Sequence, residues 1–131
     1  VMDANADEVL LRVPARSEYG RIVRVGAAAL GLRQGMSFSE IDDLRLAIDE
    51  AVILLLDGTE GGDQSEQEIQ VVFRIDRGVL EFHAERSVEA ALDIAAVHRF
   101  DAITAGLIDD YDLDQERGWV RLRKMAGADN D

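Results

Sequence analysis

Residues 41–57 read IDDLRLAIDEAVILLLD, and this stretch carries the pattern that decides the fold. Its apolar residues recur every three or four positions and share one side of a helix: Ile41, Leu44, Ile48, Ala51, Val52 and Leu55. That spacing predicts an amphipathic helix packed on a hydrophobic core. Ser39 and Asp42 have the spacing of a capping box at its start, and Gly58 can close its C-terminus.

The bulk composition indicates one globular domain. A chain of 131 residues, 47% of them apolar, is large enough to bury a core without disulfides. It has no cysteine, which excludes both a disulfide framework and a thiolate metal site. The apolar runs are too short to cross a bilayer, and no basic-then-apolar leader opens the chain, so we expect a cytoplasmic protein that does not contact membranes.

The charge balance argues against nucleic acid as a direct partner. The chain has 27 acidic and 14 basic residues, which gives a formal net charge of −13. Such a charge repels phosphate backbones, so a regulator of transcription with this composition should act on another protein. Simple solubility is the alternative explanation of the same charge.

The remaining periodicity predicts an α+β domain. Strands are predicted at 8–13, 69–75, 79–84, 111–113 and 119–123. A first helix is predicted from an N-cap at Ser17 to Gly31, and a third helix over residues 100–108. This order of elements gives one sheet covered by helices on one face, a two-layer α/β sandwich.

Polar segments set the predicted boundaries of the domain. We predict a single domain at residues 8–125, between disordered ends at 1–7 and 126–131. Residues 58–68 contain no apolar side chain and are predicted as a mobile loop, and residues 86–97 as irregular or weakly helical.

Several stretches taken together resemble a known protein family. Residues 13–31 (VPARSEYGRIVRVGAAALG) look like its first strand and first helix, and residues 37–51 (SFSEIDDLRLAIDEA) like the approach to its ATP-binding N-box. Over residues 8–124 the chain resembles the anti-sigma factor/serine-kinase family of the GHKL (histidine-kinase-like) ATPase superfamily. The resemblance implies the GHKL (Bergerat-type) fold of bacterial anti-sigma factors, whose members often pair as homodimers.

The resemblance also implies an ATP site, whose motifs are incomplete in this chain. Glu50 stands where the family has its general base, whereas Leu54 replaces the asparagine that binds magnesium. A hydrocarbon side chain cannot coordinate a hard cation, which takes oxygen ligands. Glu85 is a weak counterpart of the adenine-reading aspartate, since its side chain is longer and no glycine follows at 86–88. Residues 95–103 (AAVHRFDAI) lack the glycines that wrap the phosphates.

The second helix itself points to a closed site. Residues 53–56 place apolar side chains on every side of it, which predicts that the helix is buried all round and that leucine fills the nucleotide face. We therefore expect that ATP and magnesium binding is lost. Glu50 is then a vestigial base or, as we favour, an ordinary helix-surface acid or partner contact. His83 and His98 are too few and too far apart for a metal site.

A partner surface is expected on the first helix. Arg21 and Arg24 are three residues apart and share a face near Tyr19. Arginine and tyrosine are enriched at binding hot spots. The resemblance adds that an arginine on this helix contacts the sigma factor, in the position that Arg21 takes here. Salt bridges to the chain's own acids are the alternative for both arginines.

A second basic cluster lies near the C-terminus. It consists of Arg117, Arg121, Arg123 and Lys124, beside Trp119. Nucleic-acid binding is one interpretation of such a cluster. We favour the other, that these charges keep an exposed edge strand from aggregating.

Three functional hypotheses follow from these residues and from what the resemblance implies. The first is a degenerate anti-sigma factor-like regulator, a pseudokinase that binds a sigma factor or an anti-anti-sigma protein in partner switching without hydrolysing ATP. The second is an active ATP-dependent serine kinase that phosphorylates an anti-anti-sigma protein. The third is a ligand-sensing domain whose altered pocket binds another small molecule. The missing asparagine and glycines favour the first.

Overall fold

Five antiparallel strands form one sheet in the computed structural model, which describes residues 5–57 and 67–127. The strands are β1 (Asp7–Pro14), β2 (Glu68–Asp76), β3 (Val79–Arg86), β4 (Asp110–Asp114) and β5 (Trp119–Met125). Their order across the sheet is β1-β2-β3-β5-β4.

Three helices cover one face of this sheet. They are α1 (Gly20–Arg33), α2 (Phe38–Leu56) and α3 (Ile94–Thr104), and a short 3-10 turn (Ser17–Tyr19) precedes α1. The predicted α+β class and two-layer sandwich are confirmed. Among the helices of the described residues, none is long and apolar enough to cross a membrane.

The first helix differs from its prediction at both ends. Ser17 is not its N-cap, because the 3-10 turn intervenes and α1 begins only at Gly20. The helix also continues through Gly31 to Arg33. Gly31 does not end the helix. It allows the close packing of Met36, since a Cβ atom at residue 31 would lie 3.1 Å from the Met36 sulfur.

The second helix begins two residues before the predicted position. Its capping box consists of Ser37 and Glu40. The Glu40 N–H donates to Ser37 Oγ (3.1 Å), and the Ser37 N–H donates to Glu40 Oε1 (2.8 Å). The predicted box at Ser39 and Asp42 is therefore wrong. The predicted terminator Gly58 lies outside the described residues.

The third helix is displaced towards the N-terminus of its prediction at residues 100–108. It begins at Ile94, where the Asp93 side chain accepts from the Ala96 N–H at 3.0 Å, and it ends at Thr104. Part of the segment predicted as irregular or weakly helical is thus a capped helix.

The core lies between the helices and the inward side of the sheet. Side chains of β2 and β3 alternate between the two faces, and the buried ones are Ile69, Val71, Phe73, Ile75, Leu80, Phe82, Ala84 and Arg86. The predicted hairpin is confirmed, with positive φ at Arg77 and Gly78 in its turn. The buried side of α2 packs on this layer, as its apolar stripe predicts.

The opposite face of the sheet carries charged side chains in cross-strand pairs. Arg121 contacts Glu81 (3.6 Å) and Asp110 (3.5 Å), and the ring of Trp119 contacts that of His83 with centroids 5.3 Å apart. Strand β5 lies between β3 and β4, so the interpretation of its basic cluster as protection of an edge strand is wrong. The edges of the sheet are β1 and β4.

The ends of the domain are held by backbone contacts. Asp7 already belongs to β1, so the predicted N-terminal boundary is one residue late. The Ala126 N–H donates to the Gly78 carbonyl (2.8 Å), and the Gly127 N–H donates to Glu40 Oε2 (2.7 Å). The remainder of the predicted tail, of the predicted N-terminal segment and of the predicted 58–68 loop lies outside the described residues.

Candidate functional site

A groove of about 440 Å³ runs between α2 and the first half of α3. Glu50, Leu54 and Asp57 line it from the α2 side, and Arg99 and Phe100 from the α3 side. It lies where the N-box resemblance predicts a nucleotide site. The groove is open, so the expectation that leucine fills this face of α2 is wrong.

The carboxylate of Glu50 faces across this groove. Its side chain is 14% exposed, and Glu50 Oε1 lies 3.4 Å from Arg99 Nη2. Glu50 therefore lines the groove and is not a freely solvated surface acid, whereas its interpretation as a vestigial base stays a prediction. Its charge is balanced by a cation from the opposite wall.

Leu54 lies one helical turn after Glu50 and is 2% exposed. Its burial agrees with the sequence prediction, but the same helix exposes Leu46 and Ile53. The expectation that α2 is buried all round is therefore wrong, because no element covers these two positions among the described residues. The atoms that the helix presents one turn beyond Glu50 are hydrocarbon.

The end of β3 contradicts the predicted role of Glu85. Side chains alternate along the strand, so Glu85 lies on the open face of the sheet opposite Gln70 and Trp119. It cannot reach a groove on the helix-covered face. The inward position belongs to Arg86, which is 7% exposed. A cation thus occupies the inward end of β3.

Arg86 holds the segment that follows it, residues 87–93, which we call the strap. Its Nη2 donates to the carbonyls of Ala90 (2.8 Å) and Ala91 (3.3 Å). Burial lowers the pKa of the guanidinium below its usual value. These hydrogen bonds satisfy two strap carbonyls that would otherwise need another partner.

The strap also fits on the turn between β4 and β5. The Leu92 N–H donates to the Gln115 carbonyl (2.7 Å), and Gln115 Nε2 donates back to the Leu92 carbonyl (2.7 Å). Gly118 has φ +82° and lies so close to Ala90 that a Cβ atom would collide with the Ala90 carbonyl. We call this contact between the strap and the β4–β5 turn the joint. The sequence did not predict it, and Gly118 in the predicted turn was the one signal that pointed to it.

The groove has an acidic surplus. Glu50, Asp57 and Asp93 line it, with Arg99 as their counter-charge. Among the described residues no group of three or more His, Asp or Glu side chains could hold a metal ion. His83 contacts Trp119 on the open face, and His98 is exposed on α3, so the structure does not bring the two together.

Two comparisons relate the chain to known proteins, and no family model matches it. It is 40% identical to the serine-protein kinase RsbW of Bacillus subtilis over 50 residues, 38% of this chain and 31% of that protein. It is 27% identical to RsbW of Bacillus velezensis over 116 residues, 88% of this chain and 59% of that protein. The crystal structure of the RsbU and RsbW domains of Rv1364c from Mycobacterium tuberculosis matches with a TM-score of 0.68 and 16% identity, over 92% of this chain and 32% of that chain.

These relatives confirm the predicted resemblance of the chain to the anti-sigma factor/serine-kinase family. The structural likeness also confirms the predicted GHKL fold. The matched part spans about half the length of the curated relatives, from 31% to 59% of the first two.

The three residues predicted as a partner surface have different surroundings. Arg21 is exposed and forms no ion pair with any described residue. Arg24 lies on the α2 side of its helix, with its Nε 3.6 Å from Asp49 Oδ1. Tyr19 is half-buried against the core, under the guanidinium of Arg16. Of the two arginines, Arg21 is thus the one whose guanidinium has no ion pair with a described residue.

Proposed function

We propose that this chain is a degenerate anti-sigma factor-like regulator, a pseudokinase that binds a sigma factor or its anti-anti-sigma antagonist in the cytoplasm without hydrolysing ATP. The observation that carries the proposal is Leu54, 2% exposed at the edge of the groove and one turn after Glu50. Magnesium takes oxygen ligands, and this position offers none. A base without magnesium and phosphate beside it has nothing to activate.

The charges around the groove support the same proposal. Three of its lining side chains are acids and would repel a triphosphate, with Arg99 as the counter-charge. Arg86 at the inward end of β3 is a poor partner for the amino group of adenine, because a guanidinium only donates hydrogen bonds. The strap has no glycine at which a phosphate could approach the backbone.

An active serine kinase is the second candidate. Two observations favour it: the groove is open, and Glu50 lines it with its carboxylate. The RsbW relatives are serine-protein kinases by name. Under this candidate, magnesium would be held by groups other than Leu54.

Titration with Mg-ATP separates the two candidates. A ligand present at about 100 times its dissociation constant stabilises the folded state by about 2.7 kcal/mol, which raises the melting temperature by several degrees. We expect no such rise at millimolar Mg-ATP. The RsbW protein of Bacillus subtilis, assayed in parallel, is the positive control. Stabilisation of this chain, or phosphate transfer to a serine of an anti-anti-sigma protein, would establish the kinase instead.

The partner contact is proposed at Arg21. A guanidinium can donate paired hydrogen bonds to a carboxylate, and truncating an anchor of this type costs at least about 2 kcal/mol of binding. We expect Arg21→Ala to weaken capture of a sigma factor at least about tenfold, with an unchanged melting temperature. Arg24→Ala should have a smaller effect, because Asp49 already engages its guanidinium.

The matched control is Arg117→Ala. Arg117 is exposed like Arg21 but lies on the turn between β4 and β5. Isothermal titration of each variant with the same sigma factor measures the three affinities. Equal affinity of Arg21→Ala and the unmodified chain would place the interface elsewhere.

A further inference from the structure

A second cavity, of about 390 Å³, lies on the open face of the sheet where β3 passes into the strap. We call it the strap pocket. Strands β2, β3 and β5 form its floor, and the strap and the β4–β5 turn form its rim. Every lining side chain carries a nitrogen or oxygen atom: Gln70, His83, Glu85, Arg86, Ser87, Glu89, Arg117 and Trp119. Among the described residues, it shares no lining side chain with the groove between α2 and α3.

The charges of the strap pocket are not paired with each other. At the centre of the same sheet face, Arg121 lies 3.6 Å from Glu81 and neutralises it. In the pocket, by contrast, Glu85, Glu89 and Arg117 are exposed and form no ion pair with any described residue. Acids and a cation thus face one cavity without meeting. A ligand that satisfies both must carry a positive and a negative group.

The floor of the pocket provides a place for the positive group. Glu85 of β3 and Trp119 of β5 are direct cross-strand partners, so their Cβ atoms are about 5 Å apart on one face of the sheet. An ammonium group between them donates to the carboxylate and lies against the indole, the aromatic ring that attracts cations most strongly. The His83 ring, with its centroid 5.3 Å from that of Trp119, supports the indole from one side.

The rim provides a place for the negative group. Arg117 projects from a turn whose backbone is held by the Asp114 carboxylate, which accepts from the Arg117 N–H at 2.9 Å. Its guanidinium can donate two parallel hydrogen bonds to a carboxylate. A second positive charge lies beside the same turn, since Arg86 Nη2 is 3.3 Å from where a Cβ atom of Gly118 would be. Both charges attract an anion to this end of the pocket.

We propose that the strap pocket binds a small zwitterion of the amino-acid class, with its ammonium group between Glu85 and Trp119 and its carboxylate on Arg117. A ligand with a cation alone leaves Arg117 unsatisfied, and one with an anion alone meets Glu85 and Glu89 without a counter-charge. A phosphate ester carries more negative charge than this mixed rim balances. The bound zwitterion contacts the sheet, the strap and the β4–β5 turn together, and it therefore stabilises the joint.

This site is independent of the proposed capture of a sigma factor. The strap pocket lies on the sheet face opposite the helices, whereas Arg21 lies on α1. Arg117→Ala should therefore remove zwitterion binding and leave capture of a sigma factor unchanged. Arg21→Ala should do the reverse. The two proposals thus fail separately.

Isothermal titration calorimetry with simple amino acids tests the need for both charges. Glycine, 4-aminobutanoate and 6-aminohexanoate carry the same two groups at increasing separation, and at least one of them should bind saturably at millimolar concentration. For 4-aminobutanoate, butylamine and butanoate each keep one charge. Each such half of the tightest ligand should bind at least about tenfold more weakly, because it lacks one charge-assisted contact. Absence of binding by all three amino acids, or equal binding by a half, would overturn the proposal.

Two substitutions assign each charge of the ligand to its contact. Arg117→Met should bind the zwitterion no better than the unmodified chain binds the corresponding amine. Glu85→Gln should bind it no better than the unmodified chain binds the corresponding carboxylate. Asp112→Asn is the matched control, because Asp112 is an exposed acid on the same sheet face but does not line the pocket. Its affinity should equal that of the unmodified chain. Unchanged affinity in Arg117→Met or in Glu85→Gln would contradict the assigned site.

Discussion

The α2 wall of the groove and the strap depart in different ways from the ATP site that the family resemblance implies. On α2 the helix and Glu50 are present as the resemblance implies, and a single side chain, Leu54, differs. The strap differs as a whole, because Arg86 binds its backbone and it packs against Gly118 of the β4–β5 turn. A point difference on a helix can be reversed by one substitution, whereas a joint cannot be altered without loss of stability.

The largest expected effect tests the joint at Gly118. Gly118→Ala forces a side chain into the left-handed region and into the Ala90 carbonyl. We expect it to lower the free energy of unfolding by about 3 kcal/mol or more. Urea unfolding measures this loss.

Gly106→Ala is the matched control for the collision at Gly118. Gly106 has φ +90°, yet a Cβ atom there would meet no atom within 4 Å. Gly106→Ala should lower the free energy of unfolding only by the cost of holding alanine in the left-handed region, about 1–2 kcal/mol. Equal losses for the two variants would show that the strap does not press on the turn.

An intermediate effect is expected at Arg86. Arg86→Met keeps most of the aliphatic stem but removes the donors to Ala90 and Ala91. Hydrogen bonds from a charged group contribute about 1.5–3 kcal/mol, so we expect a loss of about 2 kcal/mol. The exposed Arg117→Met is the control and should change the free energy of unfolding by less than about 0.5 kcal/mol. If both variants unfold at the same urea concentration, Arg86 does not secure the strap.

The smallest effect is expected on the α2 wall. Glu50→Gln weakens the contact with Arg99, whose side chain is 59% exposed, so the loss of stability should not exceed about 0.5 kcal/mol. Capture of a sigma factor should stay within a few-fold of the unmodified chain. A double-mutant cycle with Arg99→Met isolates the pair. Loss of a phosphorylated partner species in Glu50→Gln alone would identify Glu50 as a working base.

Long periodic elements could be predicted from the sequence, and their ends could not. The apolar stripe of α2 specifies its buried side, but two serines compete for its cap, and Ser37 has the glutamate that completes the box. Helix α3 begins with an exposed Ile94, so no apolar period marks its first turn. Its position depends on the Asp93 cap and on packing against α2.

The candidate site could be predicted only in part for a similar reason. Glu50 and Leu54 follow from the N-box alone, since both lie on one helix. The role of Arg86 required the phase of β3: Leu80, Phe82 and Ala84 alternate inward, so residue 86 also points inward once the strand reaches it. Because the sequence predicts that this strand ends at residue 84, it does not predict that Arg86 points inward. The open groove depends on the spacing of two helices, which no local pattern encodes.

The contact between Trp119 and His83 gives the protein a built-in optical reporter. Trp119 is the single tryptophan of the chain, and its ring lies against His83 only while β5 stays paired with β3. It neighbours Gly118 but sits on the sheet face opposite the helices. Its fluorescence emission therefore reports on the joint beneath the strap without any label. A ligand that enters the groove between α2 and α3 leaves this chromophore in the same surroundings.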